Sequence, residues 1–87
     1  MTTWGPKEWI GWASSVRAFF SSRGMVVTKL VVPMEREGEF FMAAIDDPDR
    51  YPEIDGLADT LLGVKVMFTS KLPVHRFLFE AVPGREA

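Results

Sequence analysis

The stretch from residue 25 to residue 32, Met-Val-Val-Thr-Lys-Leu-Val-Val, decides the fold class of this chain. Five of its eight residues are β-branched, and only Thr28 and Lys29 are polar. Such a composition predicts a β-strand with both faces largely covered. Gly24 precedes the stretch and Pro33 follows it, and glycine and proline at these positions mark the two ends of the strand.

Upstream of this strand, residues 5–23 are predicted to form an amphipathic helix. Pro6 suits the first helical position, where its missing N–H is not needed, and Gly24 suits the left-handed residue that ends a helix. The apolar residues that recur at helical spacing are Trp9, Trp12, Val16 and Phe19.

Downstream, the hydrophobic pattern predicts three further strands and a second helix. The apolar run 40–45 is predicted to be a strand that pairs with the first. The apolar spacing in 53–62 is typical of a short helix. Strands are then expected at 64–69 and 74–82, paired with each other as a hairpin because the loop between them is short.

The predicted order is helix, strand, strand, helix, strand, strand, which indicates an α+β fold. We expect both helices to pack on a roughly four-stranded, mainly antiparallel sheet, with the strand order left open. At 87 residues, the chain 1–87 has room for a single domain.

Composition excludes several kinds of site. The chain has no cysteine, which removes disulfides, thiolate metal ligands and cysteine nucleophiles, and it has one histidine, His75. We therefore expect no metal and no cofactor. No apolar run reaches the roughly 18–20 residues of a membrane span. The absence of cysteine favours a cytoplasmic location, or a virion-associated one if the gene belongs to a phage.

Charge is distributed unevenly along the chain. Residues 35–59 contain nine acids and two arginines, a net charge of −7, while the other residues carry +5. This segment is predicted to bind a basic protein surface, with a merely solvated acidic rim as the alternative. The segment lacks the acid spacing of a calcium loop. The predicted partner-binding residues are Glu35, Glu37, Glu39, Asp46, Asp47, Asp49, Glu53 and Asp55.

Three tryptophans near the N-terminus form a second candidate site. Trp4, Trp9 and Trp12 are typical of a partner-binding face, because tryptophan is enriched in interface hot spots. Their helical spacing equally predicts a place in the core, which we favour. The polar face of the helix has too few cations for a membrane-surface helix, so a membrane partner is not expected.

Enzymatic and nucleic-acid functions receive little support. The sequence contains no nucleophile elbow, phosphate-binding loop or dinucleotide fingerprint, and nothing pairs His75 with a nucleophile. The basic residues are scattered singly and the net charge is −2, which argues against a nucleic-acid partner. No catalytic residue is assigned.

One stretch resembles proteins of tailed bacteriophages. Residues 61–73, Leu-Leu-Gly-Val-Lys-Val-Met-Phe-Thr-Ser-Lys-Leu-Pro, lead into Phe-Leu-Phe at 77–79. This is similar to a strand–turn–strand phrase found in major capsid proteins and small proteins of such phages, although Lys65 stands where the phrase usually has proline. The resemblance implies a phage or mobile-element origin and assigns no functional residue.

These observations support three hypotheses of decreasing weight. The first is a non-enzymatic protein-interaction module, such as a small phage accessory or inhibitor protein, that docks the acidic segment on a basic partner. The second is a self-assembling structural component, because sheet edges can pair with another copy. The third is a divergent enzyme or ligand-binding domain.

Overall fold

Five strands form one mixed sheet and two helices cover one of its faces in the computed structural model, which describes residues 3–84. The strand order is β2-β3-β4-β1-β5. The α+β prediction is confirmed, with one strand more than expected. The elements are α1 Pro6–Ser21, β1 Met25–Pro33, α2 Glu37–Asp46, β2 Ile54–Asp55, β3 Thr60–Leu61, β4 Val64–Thr69 and β5 Leu78–Pro83, with a 3-10 turn Met34–Arg36 before α2.

The strand β1 lies between β4, to which it is parallel, and β5, to which it is antiparallel. The other two pairings, β2 with β3 and β3 with β4, are antiparallel, so the sheet is mainly antiparallel as predicted. The expected hairpin between 64–69 and 74–82 is wrong, because β4 and β5 lie on opposite sides of β1. Parallel strands need a crossover connection, and the chain through α2 provides it.

The prediction of a strand at 40–45 is wrong, because these residues belong to α2. Alanine and methionine are strong helix formers, and Phe40 and Ala43, three positions apart, are the residues that α2 buries. Glu37 and Glu39 lie in the first turn, where carboxylates favour the positive end of the helix dipole.

The prediction of a helix at 53–62 is also wrong, because β2, a turn and β3 occupy this range. Asp59 has a φ of 53° and Leu62 a φ of 54°, which a right-handed helix does not allow. Leu62 and Gly63, with a φ of 78°, form the two-residue connection between the paired Leu61 and Val64. Two successive residues with positive φ are typical of a type I′ hairpin turn.

Three other predicted boundaries need smaller corrections. The strand at 74–82 begins only at Leu78, because residues 74–77 form a loop. The helix predicted at 5–23 spans 6–21; its Gly5 backbone N–H donates to Glu8 Oε1 at 2.9 Å. Gly24 has the expected positive φ, 73°, and β1 extends one residue beyond 25–32.

The hydrophobic core lies between the two helices and one face of the sheet. Contrary to the expectation that β1 is covered on both faces, the described residues cover one only. The opposite face leaves Val26, Met67, Leu78 and Val82 between 42% and 53% exposed. No helix within residues 3–84 is long and apolar enough to cross a membrane. The buried core residues are Trp9, Ala13, Val27, Leu30, Val32, Phe40, Ala43, Ile54, Leu61, Val64 and Val66.

Candidate functional site

The nine acids between residues 35 and 59 lie on the 3-10 turn, on α2 and on the segment that leads through β2 to β3. Two have a cation within 4 Å among residues 3–84. The Arg36 guanidinium is 2.6 Å from the Glu39 carboxylate, and Lys65 Nζ is 3.9 Å from Asp59 Oδ2. The second pair is exposed and contributes little to stability.

Glu39 differs from the other predicted partner-binding residues because its carboxylate points into the protein. Its side chain is 13% exposed and that of Arg36 is 7% exposed. The backbone N–H of Trp4 also donates to Glu39 Oε2, at 2.9 Å. This carboxylate therefore links the backbone of Trp4 to α2. Because it is already paired inside the protein, it contributes little to a surface contact.

Two further acids hold turns while remaining at the surface. Asp47 Oδ1 accepts the backbone N–H of Arg50 at 3.1 Å, and Asp55 Oδ1 accepts those of Leu57 and Ala58 at 3.1 and 3.3 Å. Both carboxylates keep acceptor capacity for another group. The predicted residues whose side chains make no hydrogen bond or ion pair with residues 3–84 are Glu35, Glu37, Asp46, Asp49 and Glu53.

An apolar cavity of about 400 Å³ lies among these acids, between α2 and the segment 48–57. Ile45 and Leu57 line it and remain 67% and 100% exposed, and Met42, one turn before Ile45 on α2, is 64% exposed. This feature was not predicted from sequence, because the hydrophobic pattern indicated a helix over 53–62, the range that contains Leu57. The Asp55-Gly56 pair, a common turn signal, pointed to a loop instead.

The three tryptophans form an aromatic cluster with Phe77. Trp9 is fully buried, whereas Trp4 and Trp12 are half-buried. The ring centroid of Phe77 lies 5.1, 6.0 and 4.8 Å from those of Trp4, Trp9 and Trp12. Trp9 is thus part of the core. Trp4 and Trp12 pack against it and do not project freely from the surface.

The guanidinium of Arg36 lies over the aromatic cluster. Its Cζ is 4.6 Å from the ring centroid of Trp4 and 4.9 Å from that of Phe77. Such cation–π contacts strengthen when the cation is desolvated, and the Glu39 carboxylate neutralises the charge from the other side. Neither Arg36 nor Phe77 was singled out from sequence, because the contacts that matter are between distant segments.

No arrangement for metal binding occurs in the described part of the chain, residues 3–84, where no three or more His, Asp or Glu side chains form a group able to hold an ion. His75 lies exposed in the loop between β4 and β5. Another cavity, of about 560 Å³, is an open groove between α1 and the sheet beside Arg17 and Gly63. Arg17 Nη1 there donates weakly to the Leu62 carbonyl at 3.4 Å.

The free edge of β5 is the remaining surface of interest. The Gly84 backbone N–H donates to the Gly24 carbonyl at 2.7 Å, so Gly84 faces β1. The backbone N–H and C=O groups of successive residues in an antiparallel strand point alternately to its two sides. Those of Phe79 and Ala81 therefore point toward the free edge. The exposed ring of Phe79 packs on Phe20 with centroids 5.0 Å apart.

Comparisons with known proteins found no matching family model, no similar curated protein and no similar solved structure.

Proposed function

We propose that this protein is a non-enzymatic protein-interaction module that docks its acidic surface, residues 35–59, on a basic surface of a larger partner. The observation that carries this proposal is the unneutralised charge: seven of the nine carboxylates have no cation within 4 Å among residues 3–84. The negative charge is also concentrated in one segment: residues 35–59 carry −7, whereas the rest of the chain carries +5. A phage or mobile-element origin belongs to the same proposal and rests on the sequence resemblance alone.

The proposed mechanism is electrostatic steering. Concentrated charge of one sign raises the rate of encounter with an oppositely charged surface by about 10–1000-fold at low ionic strength. Added salt screens this attraction, since the Debye length falls from about 30 Å at 0.01 M to about 10 Å at 0.1 M. The acidic surface therefore acts mainly on the association rate and on the choice of partner.

The test begins with the protein as bait in a lysate of its host, washed with graded salt. The association rate of the recovered partner is then measured for a variant that combines Asp46→Asn, Asp47→Asn and Asp49→Asn. Asparagine at 47 keeps the oxygen that accepts the Arg50 N–H. We expect the association rate at low salt to fall about tenfold or more. Glu80→Gln, on β5, is the matched control and should leave the rate unchanged.

An unchanged affinity and an unchanged salt dependence in the triple variant would show that this surface is not the contact. A loss of log association rate in Glu80→Gln of about one third of that in the triple variant, for one charge against three, would show that only the total charge of the protein matters.

A second candidate function is self-assembly as a structural component, and the β5 edge favours it. Phe79 and Ala81 offer unpaired backbone groups to a further strand. The sheet face that residues 3–84 leave uncovered exposes Val26, Met67, Leu78 and Val82 beside the charged Lys29, Lys65 and Glu80. Light scattering after size exclusion, over a concentration series at low and high salt, tests it. A defined oligomer that persists in high salt and is lost in Ala81→Pro would support edge pairing. A strict monomer at high concentration would remove it.

A further inference from the structure

The cavity between α2 and the segment 48–57 combines an apolar lining with unusually exposed apolar side chains. Phe41, Ile45, Pro48, Ile54 and Leu57 provide most of the lining. Its volume of about 400 Å³ is near the lower end of the roughly 300–1,000 Å³ of small-ligand sites. A space of this size suits a large apolar side chain rather than an entire secondary-structure element.

Several exposed apolar side chains lie together at this cavity, in contrast to a single exposed leucine on a surface. Met42 and Ile45 share one face of α2, because they are three positions apart. Leu57 stands on the turn across the cavity from Ile45 and is fully exposed. Single exposed apolar residues are ordinary, whereas a contiguous group beside a concave apolar site marks a contact surface.

Carboxylates lie in and next to the segments that line this apolar centre. Asp55 lines the cavity, and Asp46, Asp49 and Glu53 directly adjoin the lining residues Ile45, Pro48 and Ile54 in the chain. Residues 46–55 contain five acids against Arg50 alone, a net charge of −4, and Arg50 lies over the Tyr51 ring at 5.2 Å. An apolar cavity with one carboxylate in its lining, in a segment of net charge −4, favours a partner segment with Lys or Arg beside an apolar anchor and disfavours an acidic one.

The sheet edge beside the cavity indicates what shape the segment takes. This edge is β2, which has two residues, Ile54 and Asp55. It offers too few backbone groups to add a partner strand, which requires a row of unpaired N–H and C=O groups. A helix, in contrast, satisfies its own backbone and presents apolar and basic side chains on adjoining faces.

We infer that this cavity binds one large apolar side chain of a basic amphipathic helix, with the Lys and Arg side chains of that helix on the carboxylates of residues 46–55. This inference rests on the proposed function, because it uses the same acidic surface, and it names the partner's chemistry. In this arrangement Ile45 and Leu57 hold the anchor side chain, and the carboxylates select the charge of the helix that carries it.

Two fluorescein-labelled synthetic 18-residue helices test the inference on the full chain. Both carry the same Leu and Trp face; one has Lys at the polar positions and the other has Glu. Fluorescence anisotropy measures their binding to the wild type, Ile45→Ser, Leu57→Ser and the matched control Leu78→Ser, which alters an exposed leucine on β5. Because these side chains are exposed, circular dichroism should show the same fold and melting temperature in all variants.

We expect the Lys peptide to bind the wild type and the Glu peptide not to bind. Ile45→Ser and Leu57→Ser should each weaken binding about tenfold or more, as the loss of a hot-spot contact does, and Leu78→Ser should not. Absence of binding, or an equal loss in Leu78→Ser, would overturn the inference.

The triple aspartate-to-asparagine variant separates this inference from the proposed function. If the triple variant binds the Lys peptide weakly while Leu57→Ser binds it as the wild type does, the acidic docking stands and the role of the cavity is refuted. If neither change affects binding, both are refuted. If both changes weaken binding, the acidic surface and the cavity act together as inferred.

Discussion

Replacing Gly56 by alanine will destabilise the protein, because this glycine lies where α2 and the turn after β2 approach most closely. A Cβ atom built on Gly56 falls 2.8 Å from Ala44 Cβ and 3.1 Å from Phe41 Cδ1. Non-bonded carbon atoms pack at about 3.5–4.0 Å, so the turn and α2 must separate by roughly 0.7–1.2 Å at Ala44.

Two opposing effects set the size of the loss. Forcing an extra methyl group into a packed site costs about 1–3 kcal/mol. Alanine restricts the unfolded chain more than glycine does, which returns about 0.4–1 kcal/mol. The backbone adds no penalty, because the glycines with positive φ in residues 3–84 are Gly24 and Gly63. We expect a net loss of about 1–2 kcal/mol in the free energy of unfolding, or about 4–16 °C in melting temperature.

Urea unfolding followed by tryptophan fluorescence measures this change, and the slope m should be unaffected. Gly38→Ala is the matched control, because Gly38 lies in α2 and a Cβ atom there meets nothing within 4 Å. That variant should gain about 0.5–1 kcal/mol. If Gly56→Ala were as stable as the wild type, the close approach between α2 and the turn, and with it the described wall of the cavity, would be refuted.

Three further substitutions test separate contacts, each by the urea midpoint. Glu39→Leu leaves the buried Arg36 guanidinium unpaired and should lower the free energy of unfolding by about 3–5 kcal/mol. A double variant that also carries Arg36→Met should recover most of this loss. Equal losses in the single and the double variant would refute the unpaired guanidinium as the cause. Gly63→Ala forces a side chain to a φ of 78° and should cost about 1–2 kcal/mol, whereas no loss would contradict the turn geometry. Leu57→Ser should change stability by less than about 0.5 kcal/mol, because Leu57 is fully exposed; a larger loss would show that it packs inside.

The elements predicted correctly from sequence are those whose local signals agree with one another. The helix α1 has Pro6 at its start and Gly24 after its end, and its apolar spacing persists for four turns. Five of the nine residues of the strand β1 are β-branched. The residues Val64 and Val66 of β4 alternate with exposed Lys65 and Met67, as a half-covered strand requires.

The two wrong elements are short apolar segments in which local signals conflict. In 40–45 the run length suggested a strand, but the helix propensity of Ala43 and Ala44 and the crossover between β1 and β4 determine a helix. In 53–62 the helical spacing arose by coincidence, since Leu57 lies in solvent and Leu61 in the core. Which distant strands pair depends on tertiary packing, and hydrophobic periodicity carries no information about it.

The candidate site was predicted only in part. The acidic surface follows from sequence alone, because charge is visible in the residues. The inward turn of Glu39 and the cavity beside Ile45 were not predictable, because both depend on α2 being a helix and on its packing against other segments. Glu39 meets Trp4 and Arg36, which precede α2, and the cavity forms against residues 48–57, which follow it.

The central position of β1 has a consequence for biosynthesis. Its Lys29 pairs with Lys65 and Glu80, which leave the ribosome long after it. At about 5–20 residues per second, this strand waits about 3–10 s until both of its neighbours have been synthesised. During that interval a nascent chain presents an unpaired, valine-rich segment of the kind that aggregates. Slow translation of the second half, or loss of β5, should therefore lower the yield of folded protein more than its final stability would suggest.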